Sequence, residues 1–244
     1  MTTPVDALMD AYSRAHYRYG VVLDQLVARQ FLSIGGVDSV SASAFVDAVS
    51  TTAATGRAGL AGLTSQYLTR QVAMLVDGEI RTVEIPVDEL ATPALRSGIS
   101  DGDLWMRPVI RARTELSRGG SWAEALAAGR TSAHEITTTD VALAQRSATR
   151  WSLAGDDRVT GYRRVPGWRS CRLCTLAAER VYGIRDLMPI HSRCQCTVSA
   201  VVDGRDPGRR RNDAVTRITR PTLPDDYVID LTTEIAPSLV EVNA

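Results

Sequence analysis

Residues 170–196 read SCRLCTLAAERVYGIRDLMPIHSRCQC. All four cysteines of the 244-residue chain lie here, together with one of its three histidines. Cys171 and Cys174 form a C-x-x-C knuckle, a turn small enough to aim two sulfurs at one ion. His191, Cys194 and Cys196 follow after a gap that has room for a helical turn and a strand. On an extended stretch, residues 194 and 196 face the same side. Four of these five donors would complete a tetrahedral zinc site. The same residues also fit a disulfide-stapled loop, or a reactive thiol with His191 as its base. In the zinc reading the intervening core is too small to hold alone, so metal would contribute to folding.

Working outward, "VTGYRRV" before this segment and "TVSAVVDG" after it read as strands. Upstream the pattern is helical. Thr3 caps and Pro4 opens a helix of about seven turns, whose inward stripe is Val5, Leu8, Tyr12, Ala15, Tyr19, Val22 and Leu26. "SIGGVDS" breaks it. A second helix is expected from about Ser43 to Val76, with Gly56, Gly59 and Gly62 weakening it or allowing close helix contact. "EIRTVEIPV" alternates and reads as a short edge strand, with Val83, Ile85 and Val87 on one face. Asp101 to Arg118 is helical, with Trp105, Val109, Ala112 and Leu116 inward. "SRGG" stops it. Ser121 and Glu124 form a capping box for the next helix, and Ser132 with Glu135 offers another. That pattern runs to about Leu153, with Val141, Ala144, Ala148 and Trp151 inward.

The expected architecture is therefore α+β. A helical region, 1–155, precedes a zinc-stapled β module, 156–203, and an extended or partly disordered arm, 204–244, whose prolines argue against a long helix.

Charge and composition bound the function. Nothing approaches the roughly 18 consecutive apolar residues of a membrane span, so no membrane partner is expected. The N-terminus has neither a basic nor an apolar leader region, which points to synthesis in a cytosol. In that compartment clustered cysteines favour metal over disulfide. All 28 basic residues are arginine, with no lysine, which points to a GC-rich genome such as that of an actinobacterium or its viruses. The net charge is zero but unevenly spread. Residues 158–220 carry 14 Arg and 5 acids, and residues 221–244 carry 5 acids and no base. Such a positive stretch suits nucleic acid or an acidic protein surface, or the acidic tail folding back on it. His134 reads as a surface or capping residue and His16 as lying on the polar side of the first helix. No hydrolase, metalloprotease or phosphate-loop motif is present, and no sequence pattern pairs an aspartate or serine with a histidine.

The stretch from "GYRRV" to "CQCTV" resembles the C-terminal module of Mu F-like head morphogenesis proteins of tailed phages. The resemblance rests on Cys171, Cys174, Val181-Tyr182, His191, Cys194, Cys196 and Thr197, after a helix ending in Trp151, and covers about residues 130–202. Gln195 stands where the family often has arginine. The wording is most similar to an actinophage branch encoded beside the portal gene and often labelled capsid maturation protease. The resemblance implies a minor head protein, present in several copies per virion near the portal, acting in head assembly or DNA packaging and delivery. The label implies an alternative, a protease acting on scaffold or capsid protein.

Overall fold

The computed structural model describes residues 3–166, 172–185, 196–203 and 205–206. Its architecture is α+β: a helical body carrying a small antiparallel sheet.

Helix α1 spans Pro4–Leu32. Thr3 and Asp6 close a reciprocal capping box around Pro4, satisfying backbone donors that the first turn would otherwise leave unpaired. The expected stripe is inward, with Leu8, Tyr12, Tyr19 and Val22 buried, but the buried face is wider. It also takes in Leu23, Val27, Phe31 and the polar Ser13, His16 and Asp24. His16 is thus not on a polar side: only 7% of it is exposed. The face is wide because α1 packs against two helices at once.

Helix α2, Ser39–Val76, begins four residues earlier than the pattern suggested. Asp38 accepts hydrogen bonds from the Val40 and Ser41 amides and so caps it upstream of the first apolar residue. Gly56 marks the crossing with α1. A Cβ there would stand 2.7 Å from the Leu23 methyls, and its carbonyl accepts the Tyr19 hydroxyl at 2.9 Å. Asp77 ends α2 in a left-handed conformation (φ 54°).

The expected strand at 79–87 does not form. The segment runs without ladder pairing over α2, where Ser65 Oγ donates to the Val83 carbonyl and Ile85 packs on Ala61, Leu90 and Ala148. Its alternation reflects one side resting on helices, while Val87 stays exposed in a 3-10 turn, Val87–Leu90. A single helical turn, α3 (Thr92–Leu95), leads into α4, Asp101–Ser117, which buries Trp105, Val109 and Ala112 as expected. Helix α5, Trp122–Ala154, starts at the predicted Ser121–Glu124 capping box. It passes through Ser132 and Glu135 unbroken, because an internal capping pair cannot compete with a continuing hydrogen-bond ladder. At Gly129, α1 and α4 both press against α5: a Cβ there would meet the Phe31 ring at 2.1 Å and the Pro108 carbonyl at 2.8 Å.

Strand β1, Val159–Val165, is central. The two-residue β2, Val181–Tyr182, pairs on one side and β3, Thr197–Val202, on the other, both antiparallel. Gly161 is needed in β1, since a Cβ there would lie 2.7 Å from the Tyr182 carbonyl. The sheet shares the helical core: Val159, Tyr162, Val165, Ala200 and Val202 pack in the same cluster as the helices. Helix α2 also closes the outer edge of β3 with side chains. Tyr67 donates to the Val198 carbonyl, and Gln71 bonds both the Ala200 amide and Ser199 Oγ, each at 2.8 Å. These bonds satisfy edge groups that would otherwise recruit another strand. No helix among the described residues is long and apolar enough to cross a membrane. The arm expected from 204 onward lies outside the described residues except for Arg205 and Asp206. These two return to the body, Arg205 through the Leu75 carbonyl and Asp206 through Arg163.

Candidate metal centre

Between β1 and β2 the short helix α6, Arg172–Ala177, carries Cys174 inward. The segment is held by its backbone. The Tyr182 hydroxyl donates to the Ala177 carbonyl at 2.8 Å, Arg163 donates to the Ala178 carbonyl at 3.0 Å, and the Tyr182 ring stacks on Tyr162 at 5.3 Å. Thr197 opens β3 opposite Val165, which sets Cys196 at the mouth of the sheet. Cys174 and Cys196 meet there, 2% and 7% exposed, in a small buried cluster separate from the main core. Cys171, His191 and Cys194 lie outside the described residues, so two of the five predicted donors are placed, and those two are brought together.

This donor set fits a soft divalent ion. Two thiols 22 positions apart converge where the surrounding aliphatic side chains do not take part in their cluster. A thiolate pair supplies half of a tetrahedral zinc shell. When bound, zinc would hold α6 against the start of β3. Cys174 and Cys196 would be its ligands within the described structure.

Two histidines sit differently from expectation. His134 is neither a free surface residue nor a cap. Its Nδ1 lies 2.8 Å from the Asp24 carboxylate, with the imidazole 43% exposed and the carboxylate 7%. A buried acid thus orients a half-exposed ring through its Nδ1. Sequence spacing could not show this pair, whose members are 110 positions apart. One signal was present: Asp24 follows Gly20 by one turn on the inward face of α1, and an acid on an apolar face needs a partner. No hydroxyl or thiol of a described residue hydrogen-bonds this imidazole, so the pair lacks a placed nucleophile.

His16 lies beside Tyr12, which stacks on Tyr67 at 4.0 Å and bonds Thr64 and Gln145. Burial pushes its pKa down from 6.5 to about 4, with the Gln145 side chain pulling partly back. Its Nε2 has no partner among the described residues. Because the folded pKa lies below the unfolded one, the unfolded chain takes up the proton first as pH falls. The stability this neutral ring contributes is complete above about 6.5 and is lost as pH drops through about 4. We expect roughly 2 kcal/mol less stability at about pH 5 than at about pH 7 from this group. Urea midpoints of wild type and His16→Leu at both pH values check this. The variant should lose that much less on acidification, and an equal loss in both would exclude His16 as the cause.

The positive stretch also looks different in three dimensions. Arg158 spans Asp156 and the Glu79 carbonyl, and holds the Asp156 carboxyl below the usual carboxylate range. Arg163 is engaged by Asp206 and Arg205 by the Leu75 carbonyl, while Arg164 is buried. These four arginines brace the sheet.

Comparison of the chain with family models, curated proteins and solved structures gives no match.

Proposed function

We propose that this chain is a minor head protein of a tailed actinobacteriophage, placed near the portal and acting in head assembly or in DNA packaging and delivery, with a structural zinc site. The observation that supports this reading is the meeting of Cys174 and Cys196 beside the Val181–Tyr182 strand. These are residues on which the Mu F-like resemblance rests, and they converge as a shared metal module requires. The long helices suit the remaining task, since α1, α2 and α5 pack together into a body on which a portal-contacting surface can be carried. Other head proteins are further partners.

A second reading, a maturation protease acting on scaffold or capsid protein, has one observation in its favour. The Asp24–His134 pair has the partners of the acid–imidazole half of a catalytic triad. Without a hydroxyl or thiol on the imidazole it stands behind the first reading.

Co-expression with the portal, scaffold and capsid proteins of the same phage, followed by intact-mass measurement of each, tests both. We expect the chain to co-purify with the portal and every mass to remain full length. Trimming of capsid or scaffold by wild type, abolished in His134→Ala and Asp24→Asn, would establish the protease instead.

A further inference from the structure

We propose that the outer face of α4 is a nucleic-acid-binding surface, on which Arg107, Arg111 and Arg118 grip the phosphate backbone of duplex DNA. An α-helix advances about 100° and 1.5 Å per residue. Arg107, Arg111 and the C-capping Arg118 therefore fall within about 40° of one another along a row about 17 Å long. All three are exposed, and none of their side chains makes an ion pair or hydrogen bond with a described residue. The residues among them on this face are Thr114 and Glu115, with Ile110 and Ser117 along one side.

The neighbouring acids do not neutralise the row. Asp103, one turn before Arg107, is tied to the Ser100 cap, and the carboxylate of Glu115, one turn after Arg111, turns toward Gly120 in the α4–α5 turn. The row thus differs from the described arginines of the 158–220 stretch, several of which are consumed in bracing the sheet. The charge that looked available in sequence is partly spent, whereas these arginines on α4 remain available.

A row of like charges whose one interspersed acid, Glu115, is turned toward the α4–α5 turn complements a linear polyanion. Duplex DNA offers one charge per about 1.7 Å of axis, so a row of this length always faces several phosphates. An acidic protein surface would have to present carboxylates in a matching line. Such contacts carry no base specificity. The head-protein reading supplies the biological setting, but the binding itself is a property of the purified chain.

The test is equilibrium binding of the full-length protein to a duplex of about 30 base pairs across a salt series. Wild type should bind, with log affinity falling as log salt rises. Arg107→Gln/Arg111→Gln/Arg118→Gln should bind at least about tenfold more weakly, with a slope shallower by about 2.7. An Arg14→Gln/Arg150→Gln control, exposed arginines outside α4, should keep most of the affinity. If the triple variant does not fold, the three single variants should each flatten the slope by about 0.9. No binding by wild type, an unchanged triple variant, or an equal loss in the control would overturn the proposal. Equally tight binding of poly-glutamate would overturn it in favour of an acidic protein partner. Each of these outcomes is read without a portal or a head, so it leaves the head-protein reading to its own test.

Discussion

Asp140→Ala is expected to lower stability by about 3–5 kcal/mol, the loss typical when one partner of a buried ion pair is removed. Asp140 is 2% exposed and receives two guanidiniums. Arg57 approaches one carboxylate oxygen at 2.9 Å, and Arg96 approaches the other at 2.6 Å. Arg57 is itself 2% exposed, and its Nε has no partner among the described residues. After the substitution it keeps only Asp101, at 3.5 Å, and Asp101 is partly in water and shared with Thr92. Arg96 still has the Ile136 carbonyl. Most of the loss is therefore the penalty of an uncompensated charge on Arg57. It follows that Asp140→Ala/Arg57→Leu should be more stable than Asp140→Ala alone, because a well-packed apolar replacement of a buried pair is often near neutral. Urea unfolding of the three proteins with a common m value decides this. A loss below about 1 kcal/mol for Asp140→Ala, or no recovery in the double variant, would show that these ions are solvated in the folded chain. The effect matters beyond stability. The network joins α2, α5 and the α3–α4 connection, so it also sets where the outer face of α4 points.

Local chemistry is what the sequence makes legible. The Thr3–Asp6 and Ser121–Glu124 boxes, the strands at 159–165 and 197–202 and the apolar stripes of α1, α4 and α5 all depend on residues within a few positions of one another. Long-range pairing is not legible in this way. The 79–87 segment has the alternation of a strand, but strand formation needs a neighbour. The edge of β3 that might have received it is closed by Tyr67 and Gln71. His16 was misplaced because a single-stripe reading gives α1 one buried side, whereas it has two neighbours and so a wide apolar arc. Asp24, Arg57 and Asp140 carry a usable signal of one kind: each is a charge at an inward helical position. That predicts a buried partner without saying which. Arginine counts misled for the same reason, since a count does not show whether a guanidinium is already paired. At the cysteine segment the spacing suggests that the sulfurs converge, and the fold brings Cys174 and Cys196 together.

Metal is where the proposed function makes its largest chemical claim. Purified under reducing conditions, the chain is expected to carry about one zinc, and Cys174→Ser is expected to lose it. Because Cys174 and Cys196 meet, the metal reading takes Cys196 rather than His191 as the expected fourth ligand beside Cys171, Cys174 and Cys194. Cys196→Ser should therefore lose zinc as Cys174→Ser does. If His191→Ala keeps full affinity, the site is Cys171, Cys174, Cys194 and Cys196; if it loses zinc while Cys196→Ser keeps it, the histidine replaces Cys196. Chelation should not unfold the chain, in contrast to an isolated zinc finger, for which binding energy is folding energy. Strands β1 and β3 are held by the helical core and by Tyr67 and Gln71, none of which depends on the ion. The segment that loses support is 172–185, held to the body mainly by Tyr182, Arg163 and the stack on Tyr162. Chelation should leave the helical circular-dichroism signal nearly intact while exposing this segment to limited proteolysis. Protection of 172–185 that is equal with and without chelator, in a protein carrying no zinc by elemental analysis, would mean that the two thiols are packed as hydrophobic side chains and that the metal reading is wrong.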